Sequence, residues 1–250
     1  ASCPAVWKTI SDDELTPIFR SFLNCTDLAL QAIRLAFHDC FAGAGCDGSL
    51  INAEEWRQPQ NQGLETISKK LKAIAEKHNV GKADMIQFAG SHAIITCPLG
   101  VVGKTWVGRT DSSIQAPGTD LPDHTAPAQS LLDKFVAKGF TATDLAALLG
   151  AHSTARQRFV DPSKAGAAFD ATPGQWDVTY YGQVTTQTAN FNLDSDLAIS
   201  RLPSVLPSWT LFTVDQVGWS LAFVAAWQKL TVLGIPGGTS SLIDCTNSLP

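Results

Sequence analysis

The sequence predicts a mainly α-helical fold in a single domain. Apolar residues recur at helical rather than alternating spacing along most of the chain. The stretches between are rich in Gly, Pro, Ser and Asp. No linker, internal repeat or low-complexity tract divides the 250 residues, a length that one large domain accommodates. With 44% hydrophobic residues a sizeable core can form, which excludes wholesale disorder. Only 16% are charged, against roughly 25% in an average globular chain. The net charge of −5, from 18 Lys+Arg and 23 Asp+Glu, argues against binding nucleic-acid backbones, which takes a clustered positive field, and does not favour an anionic membrane surface.

The helices follow in order. Leu28 to His38 carries apolar residues at Leu30, Ile33, Leu35 and Phe37 with few β-branched residues. Leu64 to His78 sets Leu64, Ile67, Leu71, Ile74 and Ala75 on one stripe with lysines opposite, the pattern of a half-buried surface helix. Asp84 to Thr96 is nearly all small or apolar, so it belongs at the centre. Ser130 to Lys138, Thr143 to Ser153 and Val214 to Leu233 complete the set, with Thr143-Asp144 as an N-cap. The most apolar run, Val217 to Ile235, is interrupted by Ser220, Gln228 and Lys229 and reads as a buried helix, not a membrane span. Loops are expected at 40–49, 97–127, 160–190 and 200–210.

Six cysteines point to the compartment. Cys40-Phe-Ala-Gly-Ala-Gly-Cys46 closes a short Gly-rich loop that suits a disulfide, and such bonds persist where conditions are oxidising. Paired C-x2-C zinc ligands are absent. The chain opens Ala1-Ser2-Cys3-Pro4, and Met85 is its single methionine. A secreted, extracellular chain whose leader has been removed is expected. Asn24-Cys25-Thr26 is a formal glycosylation sequon.

Arg34 and His38 stand four apart and share one face of a helix. A base beside a fixed cation can move a proton and hold the negative charge that develops. Asp39 adjoins the histidine, and Gly45-Cys-Asp47-Gly-Ser49 follows. Carboxylates, a hydroxyl and Gly-flanked carbonyls make a hard-oxygen set of the kind Ca²⁺ takes, although an ordinary polar turn would use the same residues. Together, RLAFHDC and GCDGS resemble the distal signature of the plant–fungal haem peroxidase superfamily, most closely its secreted fungal class II and plant class III members. The resemblance implies a fold of about ten helices with haem between a distal half (about 1–125) and a proximal half (about 126–250). It also implies that Arg34 and His38 sit above the haem iron with Phe37 beside them, and that Asp39, Gly45, Asp47 and Ser49 hold a distal Ca²⁺.

By the same resemblance Leu149-Gly-Ala-His152-Ser153-Thr supplies the axial histidine. Ala89-Gly-Ser-His92-Ala is locally similar. Only His152, however, is followed by Phe169-Asp170-Ala-Thr172-Pro-Gly-Gln175-Trp-Asp177, which resembles the family's proximal calcium loop. Ser153, Asp170, Thr172, Asp177 and the carbonyl of Gln175 would then be ligands, and Phe169 a neighbour of the axial histidine. His92 reads as a helix residue whose ring is satisfied by a neighbour. Asp196 resembles the carboxylate behind the axial histidine, with Asp194 as its solvated rival. Asn61 resembles the residue that accepts from the distal histidine and so leaves its other nitrogen free as a base. Gly108-Arg109-x-Asp111 and Leu121-Pro122 match family landmarks, and an Arg109–Asp111 ion pair with a turn-forming Pro122 explains them equally. His78 and His124 read as surface residues. Tyr180, Tyr181 and the seven tryptophans are weak radical-site candidates and mostly core anchors.

The resemblance implies a class III-like pair Cys40–Cys46 and a class II-like pair Cys25–Cys97, with Cys3–Cys245 taking the remaining two. Asp27, Gln31 and Arg158 stand where manganese peroxidases have three acidic ligands, and one carboxylate, an amide and a cation do not make such a site. Ala147 stands where lignin and versatile peroxidases carry a surface tryptophan. The expectation is thus a generic secreted, monomeric peroxidase with haem b and two Ca²⁺. It would use H2O2 to oxidise small phenolic or other aromatic donors by one-electron steps. Two alternatives are a non-catalytic haem- and calcium-binding secreted interaction protein, which would not need Arg34, His38 and Asn61 together, and a haem-free metal hydrolase on His38, Asp39 and His152, which lacks any H-E-x-x-H cluster.

Overall fold

The structure, a computed structural model, describes residues 2–250 and is mainly helical, as the periodicity predicts. The chain forms two compact units: one runs to Leu121 and takes in Gln228–Pro250, the other is Pro122–Trp227.

The first unit opens with α1 (Val6–Thr9), a π-turn at Ile10–Leu15 and α2 (Thr16–Phe19). Then come α3 (Asp27–Phe41), α4 (Ser49–Asn52), α5 (Glu65–His78) and α6 (Lys82–Thr96). Thr26 caps α3 by accepting from the Ala29 N–H, so the helix starts one residue before its first apolar position. It continues past His38 to Phe41, which makes Asp39 and Cys40 helical. The α5 stripe is buried at Ile67, Leu71, Ile74 and Ala75, with Lys69 and Lys70 exposed. α6 is buried almost throughout and packs against α3 and α5. β1 (Trp106–Val107) pairs antiparallel with β2 (Ile243–Asp244), Trp106 opposite Asp244.

The second unit contains α7 (Ala128–Ala137), α8 (Ala142–Leu149), α9 (Thr179–Thr186), α10 (Asp194–Ser200) and α11 (Leu206–Phe212), and α12 (Gln216–Leu230) begins in it. Its core is aromatic: Trp176, Tyr180, Tyr181, Trp209, Trp219 and Phe223 are all buried.

Several boundaries differ from expectation. α8 is capped by Thr141, not Thr143: the Thr141 hydroxyl accepts from the Asp144 N–H at 3.1 Å, and the Asp144 carboxylate accepts from the Thr141 N–H at 2.8 Å. This reciprocal pair satisfies two free donors at once. The helix does not run on to Ser153 but tightens after Leu149 into a 3₁₀ turn, Gly150–Thr154. α9 and α11 lie where loops are expected. The α9 sequence TYYGQVTT is a poor helix former, and it folds because Tyr180, Tyr181 and Val184 are buried. The last residues return to the first unit instead of closing the second. The Cys3–Cys245 disulfide, the β1–β2 pair and Arg109 bonding to the Thr231 carbonyl hold them there. All three disulfides implied by the resemblance form, Cys3–Cys245, Cys25–Cys97 and Cys40–Cys46. Among the described residues no helix is long and apolar enough to cross a membrane.

Candidate active site

In the first unit, α3 presents Arg34 and His38 one turn apart. His38 Nδ1 lies 2.7 Å from Asn61 Oδ1. The buried Asn61 amide has a fixed orientation, because its Nδ2 donates to the Glu55 carbonyl at 2.9 Å. Its Oδ1 can therefore only accept, so the His38 proton sits on Nδ1 and Nε2 carries a free lone pair. Burial and the Arg34 cation push the imidazole pKa down to about 3, against the opposing Asn61 bond. The Arg34 guanidinium donates to the Gln62 carbonyl at 2.7 Å and the Gln60 carbonyl at 2.9 Å, so the loop that carries Asn61 also holds the arginine. Phe37 stacks on Phe41 at 5.0 Å and meets the His38 ring edge-on.

In the second unit, His152 sits in the 3₁₀ turn that ends α8. Its Nδ1 is 2.8 Å from Oδ2 of Asp196, a buried residue in the first turn of α10. Phe169 stacks on the imidazole at 5.1 Å and 19°. Tyr180 meets it edge-on and donates its hydroxyl to the same Oδ2 at 2.8 Å. Gly150 makes the turn possible: a Cβ there would lie 2.3 Å from Trp219 Nε1 and 2.5 Å from Tyr181 Oη. These two side chains donate to the Ala147 and Ala146 carbonyls at the end of α8. An imidazole whose Nδ1–H is committed to a buried carboxylate offers Nε2 as a neutral, basic lone pair. That is the donor chemistry of an iron ligand, so the residues present fit haem.

The two oxygen-rich loops are built alike. Asp39 accepts from the Gly48 and Leu50 N–H groups at 3.2 and 3.3 Å, and Asp47 accepts from the Ser49 N–H at 3.0 Å. Burial pushes the Asp39 carboxyl up to about 8, with Asp47 and Glu55 adding repulsion. Gly45, between the bonded Cys40 and Cys46, has φ +122°, and a Cβ there would lie 2.2 Å from the Leu233 carbonyl oxygen; only glycine fits. In the second loop Ser153 Oγ and Asp170 Oδ2 are buried without a hydrogen-bond partner. Thr172 donates to Asp177 at 2.8 Å, and Gln175 N–H donates to the Thr172 carbonyl. Burial pushes Asp170 up to about 7, with Asp177 adding to it. Orphaned buried oxygens among crowded carboxylates are what a hard cation relieves. Among the described residues no group of three or more His, Cys, Asp or Glu side chains forms a metal cluster. A cation in either loop would depend on hydroxyl and carbonyl oxygens as well.

Other candidates fall elsewhere. His92 is fully buried, with Nε2 near Ser11 O and Thr16 Oγ1 and Nδ1 near Thr96 Oγ1, the satisfied core histidine expected. Asp194 and His124 are exposed, as expected. His78 is not a free surface residue. It lies 2.8 Å from Glu14, which Lys77 also reaches. Arg109 does not pair with Asp111 but with Asp84 at 3.0 Å, while Asp111 accepts from the Lys82 and Ala83 N–H groups at the start of α6. Ala147 is fully buried. Two features lay beyond sequence reasoning. One is the Tyr180 hydroxyl, to which no motif points. The other is a cavity of about 570 Å³ lined by His124, Pro127, Val160, Phe191, Leu193 and Ser195, formed by segments distant in sequence.

Comparison with known proteins places the chain among peroxidases. The peroxidase family model matches residues 14–230. A low-redox potential peroxidase of Taiwanofungus camphoratus is 33% identical, covering 98% of this chain and 77% of its own. Manganese peroxidase 3 of Phlebia radiata is 31% identical over 89% of this chain and 70% of its own. Versatile peroxidase VPS1 of Pleurotus eryngii is 26% identical over 100% and 75%.

Proposed function

The chain belongs to the peroxidase family, generic fungal type, and is a haem peroxidase, an H2O2-dependent oxidoreductase; from that premise we propose that His38, Arg34 and Asn61 activate peroxide and that His152, backed by Asp196, would hold the haem iron. Haem, when bound, supplies the iron that takes peroxide and the oxidising equivalents passed to donors. His38 accepts the first peroxide proton at Nε2 and returns it to the departing oxygen, which leaves as water. Asn61 keeps Nδ1 protonated so that Nε2 is the basic atom. Arg34 stabilises the negative charge that develops as the O–O bond breaks. Phe37 and Phe169 would border the haem. The observation that carries this reading is the His38–Asn61–Glu55 chain, which fixes one tautomer of the histidine. The relatives are named as peroxidases, which favours turnover over a non-catalytic binding protein.

The same reading extends to the rest of the molecule. Asp39, Gly45, Asp47 and Ser49 would hold one Ca²⁺, and Ser153, Asp170, Thr172, Gln175 and Asp177 a second, for which the orphaned oxygens of Ser153 and Asp170 speak. With Asp27, Gln31 and Arg158 at the manganese positions and a buried Ala147 at the tryptophan position, the donors are small phenolic or other aromatic molecules. The cavity beside Leu193 and Ser195 is of a size to admit one. Three disulfides suit a secreted protein, acting as a monomer.

His38→Ala tests the assignment. Mixed rapidly with H2O2, the haem-loaded variant should keep its Soret band yet react at least about 100-fold more slowly than wild type. A rate within tenfold of wild type would exclude His38 as the base.

A further inference from the structure

Tyr180 and Tyr181 are adjacent and both fully buried, but their hydroxyls have different partners. Tyr181 donates to a backbone carbonyl, Ala146 O, at 2.7 Å, which satisfies a buried phenol at the end of α8. Tyr180 instead donates to Oδ2 of Asp196 at 2.8 Å, the same oxygen atom that accepts from His152 Nδ1, also at 2.8 Å. We propose that Tyr180 is a positioning residue that sets how strongly Asp196 pulls on the His152 Nδ1 proton, and through it the electron-donor strength of His152 Nε2 toward haem iron. This rests on the reading of His152 as the axial ligand.

The physical reason is competition for one oxygen. A carboxylate oxygen that accepts two hydrogen bonds shares its negative charge between them, so each donor keeps more of its own proton. With Tyr180 bonded, the imidazole stays more nearly neutral, and Nε2 is a weaker donor than Asp196 alone would make it. A weaker axial donor stabilises ferric iron less and raises the reduction potential. The Tyr180 ring also stands at 87° to His152 on one side, while Phe169 stacks on the imidazole. Removing the hydroxyl alone leaves both ring contacts in place.

The chain has only two tyrosines, which allows a test of opposite sign. In haem-loaded protein, Tyr180→Phe should lower the midpoint potential, equivalent to about a tenfold rise in the ferric-to-ferrous ratio at a fixed electrode potential. It should also raise the iron–histidine stretching frequency of the ferrous form. In a Tyr181→Phe background, biosynthetic replacement of the remaining tyrosine by fluorotyrosine makes Tyr180 a stronger donor. Compared with that background carrying ordinary tyrosine, both readouts should move the other way. If Tyr180→Phe does not fold, the fluorotyrosine comparison decides alone. Readouts that do not move, or that move in the same direction in both experiments, overturn the proposal and leave His152 as the ligand. Absence of any iron–histidine stretch in wild type would overturn the axial assignment and this inference together.

Discussion

The tautomer of His38 depends on an atom that does not touch it. Asn61 Nδ2 is anchored to the Glu55 carbonyl, and that bond determines which imidazole nitrogen bears the proton. Because burial and Arg34 depress the His38 pKa to about 3, the base form exists above that pH and is lost below it. The rate of reaction with H2O2 should therefore hold level from neutral pH down to about 4 and fall below about 3; stopped-flow rates that decline already near pH 6 would contradict it. His92 shows the same depression without a catalytic role. Burial, helped by the distant Arg20 charge, pushes its pKa down to about 4. An unfolded histidine titrates near 6.5. Between these values the unfolded chain holds the proton and the folded chain does not. Stability is thus fully present above about pH 6.5 and declines as pH falls through 4, by on the order of 3 kcal/mol. In urea unfolding, His92→Gln should flatten this slope; parallel pH profiles for variant and wild type would refute the linkage.

Among the elements, α8 and the turn after it do most to place His152. The Thr141–Asp144 box starts the helix, and Gly150, Tyr181 and Trp219 end it. Thr141→Ala removes one half of the box and should cost about 1 kcal/mol, read as a lower urea midpoint at unchanged m-value. A midpoint equal to wild type would mean that water or another side chain caps the helix as well. α3 and α5 were legible in the sequence because their periodicity reports a buried face, and α6 because a long run of small and apolar residues reports burial all round. α9 was not, since β-branched residues and a glycine disfavour helix locally and only the burial of its two tyrosines overrides them.

For the molecule as a whole, three disulfides supply constraints that a lightly charged chain otherwise lacks, and the proposed cation sites would add to them. Cys3–Cys245 links residues near the two ends of the sequence. Without it, the pairing of β2 to β1 depends on two residues per strand. The proposed calcium loops are the more testable constraint. Stripping divalent ions with a chelator should lower the thermal midpoint by roughly 5–10 °C, restored by Ca²⁺ and not by Mg²⁺. Superimposable melts with and without chelator would show that hydrogen bonds alone close both loops.

The residues proposed for catalysis and for ligand binding were nameable from the sequence because short motifs resemble the peroxidase signature: Arg34 and His38 in RLAFHDC, Asp170 to Asp177 in one loop. The helical fold was legible because periodicity is a local property, and the three disulfides that cysteine content suggested form. Long-range geometry decided the rest. The partner of Arg109 became Asp84, the orientation of the Asn61 amide came from Glu55, and the third member at Asp196 turned out to be Tyr180. A hydrogen bond between residues far apart in sequence is set by how whole elements pack, and no local pattern of residue types encodes that distance.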